Sequence, residues 1–161
     1  MRIASIHRRH LDATGADVSG LIDGLSSADD RLWPHDRWPA MRFDRPLGPG
    51  ADGGHGPIRY RVEAHEPGRS VVFRFGGPRG LSGTHHFEVV TDREQTLLVH
   101  TIEGAATFRF APAWMLVFRP LHDALIEDAL DRAELACTGT VARRARWSWW
   151  VRLLRRMLAP R

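Results

Sequence analysis

The sequence predicts an α+β fold, a curved antiparallel sheet wrapped around one long C-terminal helix. Two observations carry this reading. Four strand-like segments follow one another between Ile58 and Glu103, and a single amphipathic helix, Pro120 to Cys137, then closes the pattern. Strands followed by one wide-faced helix tend to leave a cavity between sheet and helix. No catalytic signature stands anywhere in the chain, so the expected work is binding at that cavity.

Ile3 to Leu11 reads as a first strand, weakly patterned because Arg8 and Arg9 fall inside it. Val18, Leu21, Ile22 and Leu25 then share one helical face, and Thr14 with Asp17 matches a capping box. Gly20 and Gly24 weaken that helix, so packing must help to hold it. Ser27 to Trp33 reads as a second short helix stopped by Pro34. Met41 to Leu47 resumes as a strand. Gly48 to Gly56, with five glycines and one proline in nine residues, reads as a loop at the cavity mouth or plain surface.

Beyond the loop, Ile58, Tyr60 and Val62 alternate with Arg59, Arg61 and Glu63, the pattern of a half-buried strand. Glu66-Pro67-Gly68-Arg69 is a turn, with Pro and Gly at its two central positions. It delivers Val71, Phe73 and Phe75 to one face of the next strand. His85, Phe87 and Val89 alternate with His86 and Glu88. A polar turn around Asp92 to Gln95 precedes Thr96 to Glu103, whose two faces are both apolar and leave the direction of His100 open. In the closing helix, Leu121, Leu125, Ile126, Ala129, Leu130, Ala133 and Ala136 make a broad apolar side. Asp123, Glu127, Asp131 and Glu134 make the other, and His122 interrupts the apolar stripe. Trp114 to Phe118 reads as a separate helical turn or a kinked approach to this helix.

Composition narrows the class. A chain of 161 residues with 43% hydrophobic and 26% charged residues suits one globular domain with a real core. Cys137 is the only cysteine, which excludes an internal disulfide and a cysteine-based zinc site and suggests a reducing compartment. The N-terminal residues lack the apolar stretch of a secretory signal, and Ala113 to Phe118 is too short to span a bilayer. A cytoplasmic protein is expected. All 23 basic residues are arginine, which reads as coding bias rather than selection for phosphate contacts. Residues 1–141 hold 16 arginines and 19 acids, a net of −3, whereas the remainder holds seven arginines and no acid. A slightly acidic body with a strongly basic tail argues against nucleic acid as the partner. The division expected is a domain over residues 1–140 and a basic, Trp-rich helical extension over residues 141–161.

Several runs carry a resemblance. Trp33-Pro34, Trp38-Pro39, Glu66-Pro67-Gly68-Arg69, Gly83-Thr84-His85 before Phe87-Glu88-Val89, and the closing helix resemble the SRPBCC superfamily. This is the START-like, helix-grip group that includes polyketide cyclases and small lipid carriers. Arg31-Leu32-Trp33-Pro34, the run from Gly53 to Tyr60, and Arg119 to Ala124 look most like an uncharacterised actinobacterial branch. The resemblance spans roughly residues 2 to 137. It implies a sheet of six to seven strands around the C-terminal helix, two short helices after the first strand, and a hydrophobic cavity. Six strands are clear, and the seventh falls at Gly104 to Phe110 or in the glycine loop. The resemblance implies no reaction, because the superfamily shares no catalytic set.

The expected ligand site is an apolar pocket lined by Trp38, Tyr60, Phe73, Phe75 and Phe87, with His85 and His122 as its polar groups. The alternative is a filled aromatic core. Binding or transport of a small hydrophobic molecule, lipid-like or polyketide-like, is the leading expectation, with no cofactor. A cyclase or dehydratase using His85 and His122 for proton transfer is the runner-up. His7 with His10, and His85 with His86, point to opposite strand faces, so neither pair forms a metal site. In the tail, Trp147, Trp150, Val151, Leu154, Met157 and Leu158 share a face opposite Arg152, Arg155 and Arg156. Trp147, Trp150, Arg152, Leu154, Arg155 and Arg156 are therefore the expected contacts to a membrane or protein surface. Packing on protein, with the acids of the closing helix as partners for the arginines, is preferred over an anionic membrane. A third expectation dispenses with the ligand and makes the tail alone the working part.

Overall fold

The computed structural model describes residues 1–92 and 95–158. The elements run β1 (Arg2–Leu11), α1 (Gly15–Asp23), β2 (Arg42–Phe43), β3 (Asp52–His55), β4 (Ile58–Glu66), β5 (Ser70–Gly77), β6 (Leu81–Asp92) and β7 (Gln95–Ala106). Then follow α2 (Ala111–Ala113), a π-helical segment (Trp114–Phe118), α3 (Arg119–Thr138) and α4 (Trp149–Leu158). The seven strands form one antiparallel sheet in the order β1-β7-β6-β5-β4-β3-β2. The sheet with its long helix is an α+β fold of the helix-grip kind. The turn expected around Asp92 to Gln95 has its centre, residues 93–94, outside the described residues.

Three expectations about local structure change. The seventh strand lies in the glycine loop, where β3 pairs Gly53 with Tyr60 and Gly54 with Arg59. Glycine is needed there for close approach, since a Cβ on Gly53 would lie 2.0 Å from the Arg42 carbonyl oxygen. The second short helix does not form. Asp30 takes its place: its carboxylate accepts the backbone N–H of Ser26 (2.8 Å), Leu32 (3.0 Å) and Trp33 (2.8 Å). An acid that caps the backbone this way competes with helical hydrogen bonding. The Met41–Leu47 strand is also shorter, only Arg42–Phe43.

The remaining elements follow their patterns. Thr14 caps α1 by accepting the Asp17 N–H, and Val18, Leu21 and Ile22 are buried beneath it. Gly139 ends α3 in the left-handed conformation, with φ 75° and its N–H on the Leu135 carbonyl. Trp114–Phe118 joins the lead-in directly to α3 as a π-helical segment. Leu125, Ile126, Ala129, Leu130 and Ala133 of α3 are buried against the sheet.

The acids of α3 find partners other than those expected. Alternation on β1 turns Ser5, His7 and Arg9 toward α3. Arg9 bonds Asp131 (2.9 Å) and Glu134 (2.5 Å), while His7 sits between Asp123 (3.1 Å) and Glu127 (2.8 Å). The tail meets the same acids through its backbone: Ala142 N–H donates to Glu134 and Ala145 N–H to Asp131. None of the tail arginines forms an ion pair among the described residues.

Candidate functional site

Between sheet and α3 the buried apolar side chains form two clusters. The larger joins α1, β4 to β7 and α3 around Trp33, Phe73, Phe87, Ile126 and Leu130. The smaller holds Ile3, Leu81, Ile102, Ala106 and Trp114, with Phe75, Phe110 and Phe118 against it. A seam of histidines lies where they meet. His85 stacks on Phe73 from the larger cluster (4.8 Å) and on Phe75 from the smaller (5.0 Å). His100 packs against Phe87 at 4.6 Å and against His122 of α3 at 5.1 Å.

The open pocket expected from the sequence is therefore filled. Tyr60, Phe73, Phe87 and Trp38 are buried core residues of the larger cluster, Tyr60 packing on Phe73 at 5.2 Å and Trp38 on Trp147 at 5.4 Å. Phe75, His85 and His122 do come together, with His100 between the two histidines. Alternation on β7 places His100 inward, opposite Phe87 of β6, and leaves it 1% exposed. A broad surface groove runs along the β2–β5 end, lined by Arg42, Asp52, Arg59, Arg61, Glu63 and Arg74, and it reaches Tyr60 and Phe75 of the expected set.

The seam is polar and incompletely paired. His85 Nδ1 and His100 Nε2 are 3.4 Å apart. His85 Nε2, His100 Nδ1 and His122 Nε2 are sealed from solvent with no hydrogen-bond partner among the described residues. A buried polar atom left unpaired costs about 1–3 kcal/mol, so three adjacent ones mark the site. Burial, with repulsion from neighbouring histidines, holds His85 and His100 well below their ordinary pKa, so both rings are neutral. A neutral imidazole has one N–H and one bare nitrogen. Whichever of the pair donates across the 3.4 Å contact, the two outward nitrogens are then one donor and one acceptor.

His122 is fixed by its neighbour. Burial lowers its pKa, although Asp123 pulls the other way. Its Nδ1 lies 3.2 Å from Asp123 Oδ1, and a carboxylate only accepts, so Nδ1 carries the proton and Nε2 is bare. Burial works to raise the Asp123 pKa, but its bonds to His122 and His7 hold it far below the usual carboxylate range. His7 in turn is raised: burial lowers it, and the bonds and charges of Asp123 and Glu127 outweigh burial. The seam thus offers one N–H and two bare nitrogens, with the chain Glu127–His7–Asp123–His122 leading toward the surface. Nearby, Tyr60 Oη and His55 Nδ1 are 3.0 Å apart, and burial drops His55 to about 3.

His7, Asp123 and His122 also bring three donor atoms within 4.8 Å of one another, although the sequence suggested no metal site. Their mutual hydrogen bonds account for the arrangement. His10 is exposed on the far face of β1, so the His7–His10 pair is split as alternation requires.

The tail folds back on the domain. Trp147 Nε1 donates to Asp128 Oδ2 at 2.9 Å, and Trp150 Nε1 to the Leu116 carbonyl at 2.7 Å. Val151 and Leu154 are buried, and Arg155 lies over the rings of Trp38 (4.4 Å) and Trp147 (5.3 Å) and bonds the Arg37 carbonyl. Of the expected contact residues, Trp147, Trp150, Leu154 and Arg155 thus face the domain, while Arg152 and Arg156 face outward. No pattern in the chain singles out Asp128, a carboxylate 3% exposed that joins Trp38 (2.7 Å), Trp147 and Arg37 (2.8 Å).

No family model and no curated protein sequence matches the chain. Solved structures do. A solution structure from Thermobifida fusca is 21% identical, with TM-score 0.64, over 90% of this chain and 99% of that one. CalU16 from Micromonospora echinospora is 17% identical, with TM-score 0.59, over 85% of this chain and 77% of its own. The di-domain ARO/CYC StfQ from the steffimycin biosynthetic pathway is 13% identical, with TM-score 0.63, over 86% of this chain and 51% of its own. At these identities the likeness is one of fold.

Proposed function

We propose that this helix-grip chain binds a small, oxygen-bearing hydrophobic molecule at the histidine seam. The observation that carries the reading is the three sealed ring nitrogens of His85, His100 and His122 between two apolar clusters. One N–H and two bare nitrogens complement a ligand with a carbonyl and two hydroxyl groups, as on a polyketide-like ring system. The apolar body would displace Phe75, Phe110 and Phe118, the partly exposed side chains on the smaller cluster. The StfQ ARO/CYC and CalU16 share the fold, which supports a ligand of this class. In this reading the protein works in the cytoplasm, and the tail docks it on a membrane or protein surface.

A second reading is favoured by the His122–Asp123 pair. A bare, buried Nε2 oriented by a carboxylate on Nδ1 is the arrangement of a general base. It would take a proton from a bound hydroxyl or activated carbon, while Asp123 stabilises the imidazolium. A norcoclaurine synthase from Thalictrum flavum, 14% identical with TM-score 0.61, has the same fold and supports chemistry in such an interior.

Native mass spectrometry of the purified protein, compared with the denatured sample, tests binding directly. A releasable mass, or retention of an added dihydroxyanthraquinone probe, is expected. Replacing His85 and His100 together by phenylalanine should abolish retention while the fold persists. Retention unchanged in that variant, or no shift of any seam histidine resonance on adding the probe, overturns the reading.

A further inference from the structure

We infer that the outward face of α4, together with Met115 and Leu116, seats the protein on an anionic lipid bilayer. This commits the docking in the proposed function to one partner and rests on that reading only for the role of the tail. At 100° per residue, Trp149, Leu153 and Met157 fall on one arc of α4, flanked by Arg152 and Arg156. The opposite arc, Trp150, Val151 and Leu154, is the one used against the domain. Trp149 is 73% exposed and Met157 71%, an unusual position for residues of this size.

The patch extends beyond one helix. The bond from Trp150 Nε1 to the Leu116 carbonyl sets the start of α4 against the π-helical segment. Leu116 and Met115, on that segment, are 59% and 47% exposed. Exposed apolar side chains thus stand on both elements that this bond joins, with Arg119 of α3 half-exposed three residues after Leu116.

Charge decides which partner fits. The acids of α3 are engaged by Arg9 and His7 of β1 and by tail backbone N–H groups, and among the described residues none of them pairs with a tail arginine. Arg143, Arg144, Arg146, Arg152 and Arg156 are exposed and form no ion pair among the described residues. A second copy of the chain would set arginine against arginine. Anionic headgroups meet the arginines, and the interfacial zone accepts Trp149, Leu153 and Met157. Trp114 and Phe118, on the same segment as Met115 and Leu116, pack in the smaller apolar cluster beside the seam. A molecule dissolved in the bilayer would thus reach the site along that segment.

The test is co-sedimentation of the full chain with vesicles of phosphatidylcholine alone and of phosphatidylcholine with phosphatidylglycerol. Binding is expected only to the anionic vesicles and should weaken with added salt. Each exposed arginine is worth about fivefold in partitioning, so Arg152→Glu with Arg156→Glu should lower it by at least about 25-fold. Trp149→Ser with Leu153→Ser should also release the protein, and the thermal midpoint should hold in both variants because the positions are exposed. Equal binding to both vesicle types, or none to either, overturns the inference. If vesicles fail and light scattering shows a dimer lost in Trp149→Ser, docking survives with a protein partner. If vesicles fail and the chain stays monomeric, tail docking falls as well, while ligand retention in the native spectrum still stands or falls alone.

Discussion

Trp147 donates its indole N–H to Asp128 Oδ2, the same carboxylate oxygen that accepts Trp38, so one buried acid ties the tail to the loop after α1. Arg37 completes the site on Oδ1 and also lies over the Trp147 ring at 4.4 Å. Asp128→Ala leaves two indole donors without an acceptor, and the expected loss is roughly 3 kcal/mol. Asp128→Asn keeps an acceptor and should cost less. Urea denaturation of the two variants gives the comparison, and an unchanged midpoint for Asp128→Ala would remove the tie.

Stability should fall on mild acidification. His55, His85, His100 and His122 all have pKa values lowered by burial from the ordinary 6.5. Below that value the unfolded chain takes protons that the folded chain refuses, so each one costs stability as pH drops. His7 is raised; its contribution is full below 6.5 and fades as pH rises through its folded value. The depressed group outweighs it, at up to about 1.4 kcal/mol per pH unit for each uncompensated histidine. Urea midpoints should therefore be lower at about pH 5 than at about pH 7.5, and His100→Phe should reduce the difference. Equal or higher stability in acid would contradict the buried, neutral seam.

The tautomer of His122 is open to direct observation. With Asp123 accepting from Nδ1, two-bond nitrogen–proton spectra at neutral pH should show a protonated Nδ1 and a bare Nε2. Asp123→Ala should return the ring to the commoner Nε2–H form. A protonated Nε2 in the unaltered protein would argue against its use as a base.

Two glycines should respond in opposite directions to alanine. Gly54 has φ 153° and would place a Cβ 2.0 Å from the Ile58 carbonyl oxygen, so Gly54→Ala should cost about 1–3 kcal/mol. Gly20 sits in α1 with nothing near its would-be Cβ, so Gly20→Ala should add about 0.5–1 kcal/mol. Thermal denaturation of both variants checks the sign at each position.

The sheet and long helix were legible because β4, β5 and β6 alternate cleanly and α3 carries one broad apolar stripe. β3 was not, since two of its four residues are glycine and leave no side-chain period to read. The absent second helix turns on Asp30, whose three backbone bonds are tertiary detail that propensity does not carry. At the site, His85 and His122 could be named from pattern alone. His100 could not, because both faces of β7 are apolar and only pairing with β6 fixes the inward one. Ser5, His7 and Arg9 did carry a signal, a polar face at period two, but its partner on α3 is more than a hundred residues away. The tail showed its amphipathic character, yet which arc meets the domain depends on Asp128 and the Leu116 carbonyl.

The position of β1 also makes its pairing the most distant in sequence of the sheet. It lies at the edge of the sheet, and among the described residues its one strand neighbour is β7, in register from Arg2 with Ala105 to Leu11 with Thr96. On the ribosome β1 therefore emerges long before anything it can pair with, whereas β4, β5 and β6 can zip up as local hairpins. Closing so long a loop is slow, and until it closes Ser5, His7 and Arg9 have no α3 to meet. The histidine seam, with His100 on β7 and His122 on the helix after it, is drawn wholly from chain made after β1.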